Sequence, residues 1–198
     1  MSVLKNLFFL SVLLITACTM GGNTKQPQLA DTYQDNAILM RIEASKDLNL
    51  YNDQKHTLKL VIIQVEKVED VQKQLMSADS IAKLLDSADD SVNSDSKPDS
   101  NKKVYMQTLF ITPGTKKVFT FPRLAGARRI IVVAGYYDLV PNQVVRVFEI
   151  PVFENWKPVT FWEMNRKMGR IAICLVLGAK GINFTDSTSK ETTNESLK

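Results

Sequence analysis

From Ala37 to Ser45 the side chains take alternate sides: Ile38, Met40, Ile42 and Ala44 fall on one, Leu39, Arg41, Glu43 and Ser45 on the other. A period of two is that of a strand with one buried face. A second strand is predicted over Leu58 to Glu66, with Val61, Ile63 and Val65 as its inner face. Between Glu69 and Val92 the period changes, and Val71, Leu75, Ala78, Ala82, Leu85 and Val92 recur at helical spacing, as one helix or two short ones. Asn93 to Lys103 is Ser, Asp, Asn and Lys around Pro98, which reads as a loop. Strands resume at Val104 to Ile111 and Lys117 to Phe121. Pro113 presets φ for the first central turn position and Gly114 accepts positive φ at the next, so a tight hairpin is expected between them. Ala127 to Tyr137 is apolar on both faces, as a central strand must be, and shorter strands are predicted at Val144 to Ile150, Val159 to Glu163 and Ile171 to Leu177. About eight strands with a single helical insertion predict an all-β sandwich of two antiparallel sheets over 37–178. Ala179 to Lys198 is polar and is expected to be a disordered tail.

The amino terminus belongs to a different class of segment. Met1 to Lys5 is short and positive, Leu7 to Ile15 is apolar but too short to span a bilayer, and Leu14-Ile15-Thr16-Ala17 leads through small residues into Cys18. This looks like the bacterial lipobox: residues 1–17 are a signal peptide, and Cys18 is acylated to become the first residue of the mature chain. An ordinary secretory signal with Cys18 incidental is the alternative. Thr19 after the cysteine, where aspartate is absent, is the sorting position that by resemblance favours the outer membrane. Thr19 to Asn36 has few apolar residues and reads as the flexible remainder of an 18–36 tether. Its root-mean-square reach is roughly 20 to 25 Å.

Composition narrows the function. The 198 residues carry a formal net charge of +4, too mild for a nucleic-acid surface without clustering on one face. Of the two cysteines Cys18 takes lipid, and Cys174, inside Ile171-Ala172-Ile173-Cys174-Leu175, reads as a small buried hydrophobe. The single histidine, His56, sits among Asp53, Gln54 and Lys55 and reads as a solvated loop residue, so no histidine-based nucleophile system is expected. Asp86, Asp89 and Asp90 lack calcium-loop spacing and read as a helix face, so no metal is expected. The glycines form no phosphate or dinucleotide loop. Arg128-Arg129 reads as charge at a strand end rather than an anion patch, and Trp156 and Trp162 as caps on the core rather than a ligand cage. No enzyme and no cofactor beyond the covalent lipid are expected.

Three segments carry a family resemblance: Leu109-Phe110-Ile111-Thr112-Pro113-Gly114, Phe121-Pro122-Arg123-Leu124-Ala125-Gly126-Ala127-Arg128, and Ile131-Val132-Val133-Ala134-Gly135-Tyr136-Tyr137-Asp138. In order and spacing they resemble the TssJ family, outer-membrane lipoproteins of the type VI secretion membrane complex. Pro113, Gly114 and Gly126 would be its structural turn residues. The resemblance implies a transthyretin-like sandwich with a helical addition, facing the periplasm. It also implies an adaptor that holds the periplasmic C-terminal domain of a TssM-like inner-membrane protein and, through it, a TssL-like protein. The chain departs from the pattern in its first loop, which lacks a Gly-Arg pair after Asn49, in the 93–103 loop and in its tail. A lipidated sandwich binding a small ligand or cell-wall component is the alternative.

The first loop holds the candidate partner residues Leu48, Asn49, Leu50, Tyr51 and Asn52. Apolar and aromatic side chains stand there in a segment otherwise made of Lys, Asp, Asn and Gln. They either fold back over the core or anchor an interface, and by the resemblance this loop holds the partner.

Overall fold

The computed structural model describes residues 32–88, 104–156 and 164–190. Cys18, Thr19, the leader, most of the tether, the 93–103 loop, the strand expected at 159–163, Trp162 and residues 191–198 lie outside them.

Two four-stranded sheets face each other. The first runs β10 (Ile182–Lys190), β9 (Arg170–Leu177), β1 (Gln34–Ala44), β4 (Lys116–Arg123), and the second β3 (Val104–Ile111), β2 (Leu58–Val65), β5 (Arg129–Gly135), β6 (Val145–Glu149). A hairpin of β7 (Val152–Trp156) and β8 (Met164–Met168) stands beside them. The fold is the expected β-sandwich, with β5 between β2 and β6 as its two apolar faces require.

The pairing departs from expectation in three places. β1 pairs β4 antiparallel but β9 parallel, from Ile38↔Ile171 to Ala44↔Leu177. A parallel pair needs a crossover, and the chain between these strands includes the whole second sheet. The Pro113-Gly114 turn closes as predicted, with Gly114 at φ 78° and Thr115 N–H donating to Thr112 O at 3.2 Å. It joins two sheets rather than a hairpin, because Gly114 N–H donates to Ser45 O at 3.0 Å and Ala44 N–H to Thr115 O at 2.8 Å, which commits β4 to β1. Within the expected disordered tail, Ile182–Lys190 is instead strand β10, paired antiparallel to β9 as far as Lys190↔Arg170. Its ladder bonds and the buried Ile182 hold it, and neither leaves a mark in hydrophobic periodicity.

The helical insertion divides into a 3-10 turn (Val68–Asp70), α1 (Gln72–Leu75) and α2 (Ala78–Ser87). Ser77 caps α2 by accepting Ser80 N–H at 3.2 Å. The buried stripe is Ile81, Leu84, Leu85 and Ala88, whereas Ala78 is exposed. The helices cover the second sheet, and this corrects the face assigned to β2. Gln64 reaches the opposite sheet, donating to Pro122 O at 2.8 Å and accepting Leu124 N–H at 3.0 Å. By alternation Leu58, Leu60 and Ile62 line the sandwich interior with it, while Val61, Ile63 and Val65 lie under the helices on the side where Lys59 meets Leu85 O. Both faces are buried because the molecule has three layers there.

Cys174 is on the outer face of β9, half-buried, in register with Arg41 and Asp186, and not in the core. No helix among the described residues is long and apolar enough to cross a membrane.

Candidate functional site

Residues 45–57 link β1 to β2, and left-handed backbone shapes the link: Asn49, Asn52 and Asp53 have φ of 50°, 48° and 59°. Asn and Asp tolerate this region because their short polar side chains bond locally. Tyr51 N–H donates to Gln54 O at 2.8 Å and Gln54 N–H to Tyr51 O at 2.9 Å, so Asn52-Asp53 is the two-residue tip of a small hairpin with positive φ at both central positions. Leu50 N–H donates to Ala179 O at 2.9 Å and His56 N–H to Leu48 O at 3.2 Å, which ties the base of the hairpin to the β9–β10 turn.

The five candidate residues therefore separate. Leu48 is fully buried and belongs to the core, which removes it from any contact surface. Asn49 is 4% exposed, and its side chain joins two segments: Oδ1 accepts Tyr137 N–H at 3.0 Å and Nδ2 donates to Thr57 O at 3.3 Å. It positions the site without facing solvent. Leu50 is half-buried, while Tyr51 and Asn52 are exposed.

The end of β5 supplies the rest, which loop composition gave no reason to include. Tyr136 is buried and its hydroxyl donates to Gly181 O at 2.9 Å. Burial pushes its phenol well above the usual range. Tyr137 points the other way and is 54% exposed, its ring stacked on that of Tyr51 (centroids 4.4 Å apart, planes at 12°) and met at its edge by His56 at 4.9 Å. His56 is thus part of an aromatic cluster rather than a solvated loop residue. The available signal was Tyr137 itself, a second aromatic beside Tyr136 at the end of the long apolar run.

Two clefts flank Tyr137. One of about 350 Å³ lies against Tyr51, Asp53, Asp138 and Lys180. The other, of about 510 Å³, lies against His56, Lys59 and Phe110, with Phe110 64% exposed. Rigid, preordered tyrosines at the centre of such a surface are what protein recognition favours, since a stacked ring loses little freedom on binding. His56 meets a ring edge, and no group of three His, Cys, Asp or Glu among the described residues is placed to hold a metal.

The cluster has a fixed position in the molecule. β1 enters the sandwich at Gln34, where buried Arg123 donates to Thr32 O and Gly169 O at 3.1 Å each, and it leaves at Ala44 into the aromatic loop. Its 11 residues separate the two poles by roughly 30 Å at about 3.3 Å per residue. Gly126, at φ 83°, turns the chain between β4 and β5 at the entry pole, where Ala127 N–H donates to Leu124 O at 3.3 Å.

No family model and no curated protein sequence matches this chain. Among solved structures it is similar to the T6SS lipoprotein TssJ1 from Pseudomonas aeruginosa, at 16% identity over 82% of this chain and 99% of that one, with a TM-score of 0.48. It is also similar to Serratia marcescens Lip, a membrane-bound component of the type VI secretion system (16% identity, 74% and 94%, TM-score 0.47). A third is the T6SS protein TssM C-terminal domain from EAEC (10% identity, 78% and 98%, TM-score 0.48).

Proposed function

We propose that this chain is an outer-membrane-anchored periplasmic adaptor of a type VI secretion system, holding the periplasmic domain of a TssM-like inner-membrane protein and, through it, a TssL-like one. The observation that carries the reading is the polarity of the molecule. The segment leading back to Cys18 enters at one end of β1, and the exposed Tyr51–Tyr137 pair stands at the other. A lipid at Cys18 retains the protein at the membrane, the tether supplies reach, and the sandwich holds the aromatic pole away from the bilayer. The lipobox and the Pro-Gly, Pro-Arg and Gly-Ala-Arg segments support the same reading. Such a part binds and positions and performs no chemistry.

The test is titration calorimetry of the mature chain against the periplasmic domain of the TssM-like protein from the same cell. Replacing both Tyr51 and Tyr137 with Ser is expected to weaken binding at least a hundredfold, on the order of 3 kcal/mol for two aromatic anchors. The same change should cost only about 1 kcal/mol of folding stability, the worth of an exposed stacked pair. Unchanged affinity would move the interface off this pole, and binding of muropeptides in place of the protein would favour the cell-wall alternative.

A further inference from the structure

A sandwich of two open sheets has four edge strands, and each unpaired edge is a template for another chain unless something blunts it. Three of the four edges here are blunted. β4 reads KKVFTFPR, with Lys116 and Lys117 at one end and Pro122 and Arg123 at the other. β10 carries Asp186 and Lys190 and a register shift between Ile182 and Phe184. β6 is five residues long and includes Arg146 and Glu149.

β3 is different. It reads VYMQTLFI, eight residues without a charge, a proline or a glycine. It pairs β2 without a register shift from Leu58↔Ile111 to Val65↔Val104, and no strand among the described residues pairs its outer side. Alternate backbone N–H and C=O groups of a regular strand therefore point outward along its length. Thr108 Oγ1 donates to Ala88 O at 3.4 Å, so Val104, Met106, Thr108 and Phe110 lie on the helix side while Tyr105, Gln107 and Leu109 lie on the sandwich side. A strand added here would extend both buried layers. β3 also runs directly into the cleft shared by Phe110, His56 and Tyr137.

We propose that the outer edge of β3 accepts an added strand: an extended, uncharged, largely apolar segment of the same protein that docks on the aromatic pole. This rests on the adaptor reading, because continuity with the Tyr137 cleft is what selects that partner over a second copy of this chain. Backbone bonds along β3 supply affinity without sequence demand, and the aromatic pole fixes where the segment stops.

Amide hydrogen exchange of the mature chain, alone and with the TssM-like periplasmic domain, tests it. Amides across Val104–Ile111 are expected to slow at least tenfold on binding. Gln107→Lys, which gives β3 the charge the other edges have, is expected to weaken binding at least tenfold with little change in melting temperature, while Val118→Lys on already charged β4 changes it less than twofold. If Gln107→Lys does not fold, exchange on the unaltered chain decides. Protection of 45–57 and Tyr137 with β3 exchange unchanged would overturn the inference and leave the adaptor reading standing. Protection of β3 that grows with concentration of this chain alone would make the occupant a second copy and overturn it as well. Absence of any binding would overturn both.

Discussion

Asn49 shows how much one buried side chain can decide. Its Oδ1 holds Tyr137 beside the first loop by accepting Tyr137 N–H, while its Nδ2 donates to Thr57 O within that loop and its backbone is left-handed. Asn49→Ala leaves Tyr137 N–H and Thr57 O without these partners, at about 1 to 3 kcal/mol for a buried polar group, and adds about 1 kcal/mol of backbone strain. A loss of about 2 to 4 kcal/mol in urea unfolding is expected, together with weaker partner binding, because the tyrosine pair is no longer held together. Tyr136 makes a pH prediction. Its phenol is raised by burial, so the folded state keeps that proton more tightly than the unfolded chain does. The resulting stability is complete below the ordinary phenol pKa of about 10 and declines as pH rises toward the folded value. Melting temperature should therefore fall above about pH 10, and Tyr136→Phe should flatten that fall while costing about 1 kcal/mol at neutral pH for the bond to Gly181.

Among the elements, β10 is the one whose loss says most. It covers an edge of β9, a strand whose Ile171, Ile173, Leu175 and Leu177 are buried. Ending the chain after Gly181 would expose that edge and remove Ile182 from the core. The shortened protein is expected to melt lower by several degrees and to aggregate on concentration, as an unguarded apolar edge does. Light scattering beside a melting curve reads both. The Arg146 guanidinium, which bonds Ile182 O at 2.7 Å and Asn142 O at 2.7 Å, shows that β10 also ties the two sheets together.

For the whole molecule, the proposed adaptor role rests on two poles and on an anchor at Cys18. Cys18→Ser is expected to abolish labelled palmitate incorporation and to release the protein from the outer-membrane fraction, since the leader is too short to serve as a span. The sandwich itself should keep its melting temperature, because Cys18 lies well before the first strand. A Cys18→Ser protein that still fractionates with outer membranes in cells lacking the TssM-like partner would contradict the anchor.

Hydrophobic pattern and local turn chemistry were sufficient for the class of fold, the central place of β5 and the turn at Gly114, since a buried face and a positive φ are properties of a few neighbouring residues. They also drew attention to the first loop, where Tyr51 and Asn52 proved exposed and Leu48 did not. Which face of β2 met the other sheet, and whether Pro113-Gly114 joined one sheet or two, depended on partners far along the chain. So did the ordering of β10, whose stabilising bonds are backbone bonds that carry no residue signature. The pairing of Tyr51 with Tyr137, through Asn49, is tertiary for the same reason: periodicity records what is buried, whereas only folding determines which exposed side chains are brought side by side.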